Sequence, residues 1–134
     1  MKTKIDKADK LFSFYIRTRD KWTCQRCGEK HEERSQGLHN SHYWGRGRES
    51  TRFSETNCAA ICLGCHRYFH AYPQEYYKWK LNQLGEKEFQ KLEVSANMRC
   101  RKDRKLSYLF AKQLLKKLEK KRGENYYPDG IVRV

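Results

Sequence analysis

No stretch of this chain approaches eighteen consecutive apolar residues, so a membrane-spanning helix is not expected. The opening Met1-Lys2-Thr3-Lys4-Ile5-Asp6-Lys7 is basic but runs into further charge instead of an apolar core, which argues against a secretory signal. There is no internal repeat and no low-complexity linker, and 134 residues are the size of one domain. Apolar residues are scarce as well, at 37% against 34% charged, so hydrophobic burial alone is thin support for the fold. A second kind of staple is expected. Without an export signal the six cysteines should stay reduced, so they read as metal ligands before disulfides.

Acidic residues are the other shortage. Sixteen Asp and Glu stand against thirty Lys and Arg, for a net charge of +14. The charge is uneven: residues 1–23 carry +4, residues 24–70 only +2, and residues 71–134 carry +8. A near-neutral centre between cationic flanks suits a protein whose flanks displace counterions from a phosphate backbone. Nucleic acid is the expected partner, and a membrane surface is not.

Ala8, Leu11, Phe12, Tyr15 and Ile16 recur at helical spacing behind Asp6 and Asp9, predicting a helix over about 6–20. Glu29 to Gly37 reads as loop, Leu38 to Trp44 as a short strand, Gly45-Arg46-Gly47-Arg48 as a basic loop, and Cys58 to Cys62 as a second strand. A helix over Cys65 to Tyr72 follows. Pro73 opens another, with Tyr77, Lys80, Leu81 and Leu84 on one stripe and Gly85 past its end. A short helix is expected over about 86–94. The last strong pattern is Leu106, Leu109, Phe110, Leu114, Leu115 and Leu118, backed by Lys112, Lys116, Lys117, Lys120, Lys121 and Arg122. The tail, 123–134, is expected to be loosely held. These elements define an α+β chain.

Cys24-x-x-Cys27 and Cys62-x-x-Cys65 each let two sulfurs meet one ion through a tight turn, and two such knuckles complete a tetrahedral zinc shell. The 34 residues between the pairs exceed a simple finger, so the insert should be a functional element held at its base. Cys58 and Cys100 lack a partner at such spacing and are given no role. His66 and His70, four apart on a helix, project from one face and can reach the same ion. His39 and His42 lie in the insert, and His31 in a polar loop. An ion held by histidines alone keeps open positions that bind a phosphate oxygen or water, which suits phosphodiester hydrolysis.

His42-Tyr43, Arg52-Phe53, Asn57 and Cys62-x-x-Cys65-His66 together resemble the HNH, or ββα-metal, endonucleases. More narrowly, the chain resembles the NinG/Rap recombination proteins of lambdoid phages. The resemblance starts near Phe14, runs through Cys24 to His70 and fades in the helices before residue 95. It implies one HNH domain over 1–134, with a zinc-stapled, treble-clef-like ββα core over about 24–72 and a basic helical part over about 73–122. It further implies that His42 is the general base and that Asn57 braces the hairpin carrying it. His66 and His70 would bind a catalytic divalent ion. Many members place an acid or histidine immediately before the base, where this chain has Ser41; the NinG/Rap aspartate three residues before the base is His39 here. His39, His66 and His70 are therefore the expected ligands. Imidazole in place of oxygen favours Mn²⁺, Ni²⁺ or Zn²⁺ over Mg²⁺. Arg52 is expected to touch the scissile phosphate, with Arg46 and Arg48 as further DNA contacts; ordinary solvent exposure explains the last two equally well. Tyr43 and Trp44 are expected to pack instead of stacking on bases.

The implied activity is metal-dependent DNA cleavage, with branched recombination intermediates as candidate substrates, by a phage- or prophage-encoded protein in the host cytoplasm. Two rival readings share this composition: a zinc-stabilised DNA-binding module without catalysis, and a sequence-specific HNH enzyme of the homing or restriction kind. Monomer and homodimer both remain open, because the C-terminal stripe can pack within the chain or against a copy.

Overall fold

The computed structural model describes residues 4–122. Helix α1, Lys7–Arg19, begins at a reciprocal capping box: Asp9 N–H donates to the Asp6 carboxylate at 3.0 Å, and Asp6 N–H donates to the Asp9 carboxylate at 2.9 Å. Its apolar positions, Leu11, Phe12, Tyr15 and Ile16, are buried as their spacing predicts. After Asp20 the backbone turns through Lys21 and Trp22, with φ of 57° and 52°. This left-handed pair aims the following chain along the sheet. Strands β1, Leu38–His42, and β2, Cys58–Cys62, pair antiparallel, with Leu38 opposite Cys62 and His42 opposite Cys58. Between them lies α2, Glu49–Arg52.

Four helices follow: α3, Leu63–Ala71; α4, Pro73–Leu84; α5, Glu86–Ala96; and α6, Arg104–Arg122. Gly85 both ends α4 and precedes α5, and its φ of 82° lets one residue serve both purposes without a Cβ penalty. Helix α1 packs across both strands, and α3 packs across both strands as well. Helix α4 lies on α3, α5 on α4, and α6 along α1. One apolar cluster joins Phe12, Ile16, Leu38, Ile61, Phe69, Ala111 and Leu115. Among the described residues, no helix is long and apolar enough to cross a membrane.

Four expectations need correction. Strand β1 ends at His42 instead of Trp44: Tyr43 N–H still donates in register to the Asn57 carbonyl at 2.9 Å, but Asn57 N–H turns away to the Ser54 carbonyl at 3.1 Å and the ladder closes no further. Helix α2 replaces part of the expected basic loop; four residues are too few to show a period. On α4 the inward face is Tyr76, Trp79 and Lys80, with the Tyr76 and Phe69 rings stacked at 4.3 Å, while Tyr77 remains exposed. On α6 the face toward α1 is Tyr108, Ala111, Leu115 and Leu118, leaving Leu106, Leu109 and Phe110 exposed. The small Ala111, fully buried, is what lets the two helices approach closely, and a pattern of large residues does not reveal it. The expected loose tail lies outside the described residues.

Asp9 does double service. Besides closing the capping box, its carboxylate takes two bonds from the buried Arg52 guanidinium, Nε at 2.7 Å among them. Arg52 also donates to the backbone carbonyls of Lys4 and Arg46. Burial alone would raise the Asp9 carboxyl, but the Arg52 hydrogen bonds and the Asp6 N–H outweigh it and hold it at about 2. A depressed folded-state value means stability that is present above the unfolded value near 3.8 and lost as pH falls through about 2, of order 2 kcal/mol in all. Asp9→Asn should destabilise the protein at pH 7 by about 3–5 kcal/mol, because it strands a buried guanidinium. Urea unfolding from pH 7 down to pH 2 should show wild type losing its advantage below about pH 4; parallel curves for the two proteins would contradict this account.

Candidate functional site

Two knuckles meet beneath the hairpin. Gly28, at φ 79°, lets the first turn back on itself, with its N–H donating to the Cys24 carbonyl at 2.9 Å. In the second, Cys62 caps α3, and its sulfur accepts from Cys65 N–H at 3.4 Å. Cys27 N–H approaches the Cys24 sulfur in the same way at 3.5 Å. The ligand atoms of Cys24, Cys27, Cys62 and Cys65 all lie within 4.8 Å of one another. Cys27 and Cys62 are 3.8 Å apart, far too long for a disulfide. It is also the edge of a tetrahedron with arms of about 2.3 Å, the zinc–sulfur distance. The donor set and its spacing therefore fit a structural metal such as zinc. Burial would raise the Cys24 thiol, yet the N–H groups of Cys27, Cys62 and Arg26 bring it down to about 7. The Arg26 guanidinium donates to the Cys65 sulfur at 3.3 Å and stacks over the Tyr68 ring at 4.0 Å.

A second group sits between β1 and α3. Strand alternation puts His39 and Ser41 on the same face, toward α3 and α4, and His42 on the other. The His39 and His66 rings are 5.6 Å apart, and His66 and His70, one helical turn apart, are stacked at 6.2 Å. His66 Nδ1 is buried without a partner, and burial beside His39 and His70 lowers its pKa. His39 Nε2 lies 3.0 Å from the Gln36 carbonyl. That contact calls for Nε2–H and leaves Nδ1 bare, the tautomer in which a histidine binds a metal. The three nitrogen sets do not close to within 4.8 Å of one another as the sulfurs do. Ser41 Oγ is spent on the Tyr76 hydroxyl at 2.7 Å and is fully buried.

Asn57 is fully buried and locks the hairpin end. Its Oδ1 accepts from Trp44 N–H at 2.8 Å, and its Nδ2 donates to the carbonyls of Trp44 and Thr51, both at 3.0 Å. His42 lies within this lock, its Nε2 at 3.0 Å from the Arg52 carbonyl. Since a carbonyl only accepts, Nε2 carries the hydrogen and Nδ1 is the basic nitrogen. Burial lowers the His42 pKa to about 4, so the ring is neutral at pH 7.

The arginines fall elsewhere than expected. Arg52 is 2% exposed and committed to Asp9, so the expectation that it touches substrate is corrected: its guanidinium is a buried strut. Arg48 is exposed, yet it lies over the Trp44 ring at 4.8 Å and donates to the Ala96 carbonyl at 2.9 Å, tying α5 to the hairpin loop. Arg46 is half-buried on the same loop. Tyr43 packs as expected, with Tyr76 at 5.0 Å and Phe89 at 5.6 Å. Sequence reasoning missed Gln36, Arg26 and Tyr76, and it saw Asp9 only as a helix start and not as the partner of Arg52. All four act through backbone groups or through residues distant in the chain, and spacing carries no trace of either.

The molecule is thus a mixed chain in which helices surround a two-stranded antiparallel hairpin mounted on a four-cysteine, metal-competent cluster. The chain belongs to the NinG family: the family model for the bacteriophage lambda NinG protein matches residues 1–122. Comparison with curated proteins and with solved structures returns no significant match.

Metal analysis of the purified protein should find one zinc per chain held by the cysteines, and Cys62→Ser should lose it together with cooperative unfolding. An apo protein that melts like the metal-bound one would exclude a structural role for the cluster.

Proposed function

We propose that this protein is a metal-dependent DNA endonuclease of the HNH, or ββα-metal, kind. The observation that carries the reading is the Asn57 lock. A fully buried amide fixes the strand end and leaves His42 Nδ1 as its free nitrogen; His39, His66 and His70 lie on the opposite face, so the reading requires the scissile phosphate to seat at the end of the hairpin, where both faces are within reach. The bare Nδ1 of His39 and the unpartnered Nδ1 of His66 support a divalent ion there. Nitrogen ligands favour Mn²⁺, Ni²⁺ or Zn²⁺ over Mg²⁺. When bound, such an ion would supply positive charge to the phosphoryl oxygens and the departing sugar oxygen.

The protein's own part is the handling of water. His42 removes a proton from the attacking water at Nδ1, while the Arg52 carbonyl on Nε2–H keeps the ring from turning and stabilises it once protonated. The lowered pKa keeps the base unprotonated at pH 7. Cleavage on the 3′ side of phosphorus leaves 5′ phosphate and 3′ hydroxyl ends. The net charge of +14 supports a DNA substrate, and membership of a phage family supports action inside the infected host, with branched recombination intermediates among the substrates.

His42→Ala should lower cleavage by about 10²–10⁴ while zinc content and DNA affinity stay at wild-type values. Labelled linear, flap and four-way DNA incubated with each divalent ion is the assay. A variant that cuts at the wild-type rate would remove His42 from the mechanism, and absence of ion-dependent cutting by wild type would leave a zinc-stabilised binding module. Equal rates on all three DNAs would discard the branched preference.

A further inference from the structure

Helix α6 changes character along its length. Its first turns expose Leu106, Leu109 and Phe110, whereas the stretch 112–121 carries Lys112, Lys116, Lys117, Lys120 and Lys121. Within that stretch the sole acid is Glu119, and it is turned inward at 8% exposure. With Ala111 and Leu115 against α1, a period of 3.6 sends Lys116, Lys117, Lys120 and Lys121 to the side facing away from α1. Lys117, Lys120 and Lys121 are exposed and Lys116 is half-buried along its stem. The result is a cationic ridge about 8 Å long from residue 116 to 121, with no exposed carboxylate on it.

The place of the ridge matters more than its charge. Helix α6 lies along α1, α1 lies across the hairpin, and the histidine group lies between the hairpin and α3. At the usual packing distances, on the order of 20 Å of protein separates the α6 axis from the sheet. The lysines also face outward from that stack, so a straight duplex resting on them is held away from His39, His66 and His70.

We propose that the Lys116–Lys121 face of α6 is a second duplex-DNA backbone site, occupied together with the histidine face, so that one protein molecule holds two duplex segments. The inference rests on the endonuclease reading only in taking the histidine face as the first DNA surface. Phosphate contacts of this kind carry no sequence information; they set affinity and orientation. A lone lysine-rich helix face attracts any polyanion, but an anionic membrane surface would also call on bulky apolar anchors interleaved with the lysines, and Phe110, Leu109 and Leu106 lie about one and a half to three turns before Lys116, outside the ridge.

The test replaces all four lysines, Lys116→Gln, Lys117→Gln, Lys120→Gln and Lys121→Gln, beside a charge-matched control with Lys78, Lys87, Lys91 and Lys102 changed to Gln. Circular dichroism and thermal unfolding establish that both variants fold. Two linear duplexes of unrelated sequence, one with a donor and one with an acceptor dye, are mixed with protein without added divalent ion. Wild type and control should bring the dyes together, and the α6 variant should bind a single duplex without doing so. The slope of log K against log salt should fall in magnitude by about 0.9 for each lost contact, and so by up to about 3–4. Equal energy transfer and equal slopes for the α6 variant and the control would overturn the proposal. So would a variant that loses binding only to phosphatidylglycerol vesicles. Cleavage is not read, so a wild-type protein that bridges duplexes but cuts none would support the second site while refuting the nuclease.

Discussion

Four sulfurs gathered within 4.8 Å are the constraint on which the rest of this structure depends. The hairpin has only two strands of five residues each, too small to be stable alone. The cysteines tie its far end, where β2 becomes α3, to the loop that leaves α1. Around that tie the backbone is satisfied in detail. Gln25 N–H donates to the Ala60 carbonyl, and Ala60 N–H donates to the Asp20 carboxylate, so the free edge of β2 is covered by the chain approaching the first knuckle. A metal at the cluster would thus hold three things at once: the turn after α1, the edge of the sheet and the start of the helix that carries His66 and His70.

The hairpin's other end is held without metal. Asn57 replaces a missing ladder with its side chain, reaching Trp44 twice and Thr51 once. Its position at the start of the cysteine-anchored strand lets the two ends be rigid for different reasons. The upper end is fixed by hydrogen bonds that a buried amide can make in only one orientation. The lower end is fixed by donor geometry around a cation. Between them, β1 displays alternate residues to opposite sides, which is how one strand can offer His39 to α3 and His42 to the Asn57 enclosure.

Much of this was legible in the sequence. The paired cysteine spacings located the cluster, and the period of α1 located its buried face, because both signals are local. The rotation of α4 and α6 was not legible, since large apolar residues mark that a helix has a face but not which neighbour fills it. Phe69 draws Tyr76 inward, and Ala111 admits α1. Arg52 was misread for a similar reason. Its match to the family pattern, on a loop rich in arginine, makes it look like a phosphate contact, and only the fold brings Asp9, distant in sequence, against it. The resemblance to metal-dependent nucleases rested on His42, Asn57 and His66; backbone groups hold the side chains of the first two, while His66 Nδ1 has no partner.

Arg52 serves through both of its ends. The guanidinium is gripped by the first turn of α1, while the carbonyl of the same residue receives the His42 hydrogen. Asp9 and His42 each hydrogen-bond to this one residue, the first to its guanidinium and the second to its carbonyl. A lysine at position 52 would keep the charge but not the planar fork that spans Asp9 and the Lys4 and Arg46 carbonyls together. Positions 9 and 52 are therefore energetically coupled: the cost of changing one depends on what stands at the other, although nothing in their spacing would reveal the bond between them.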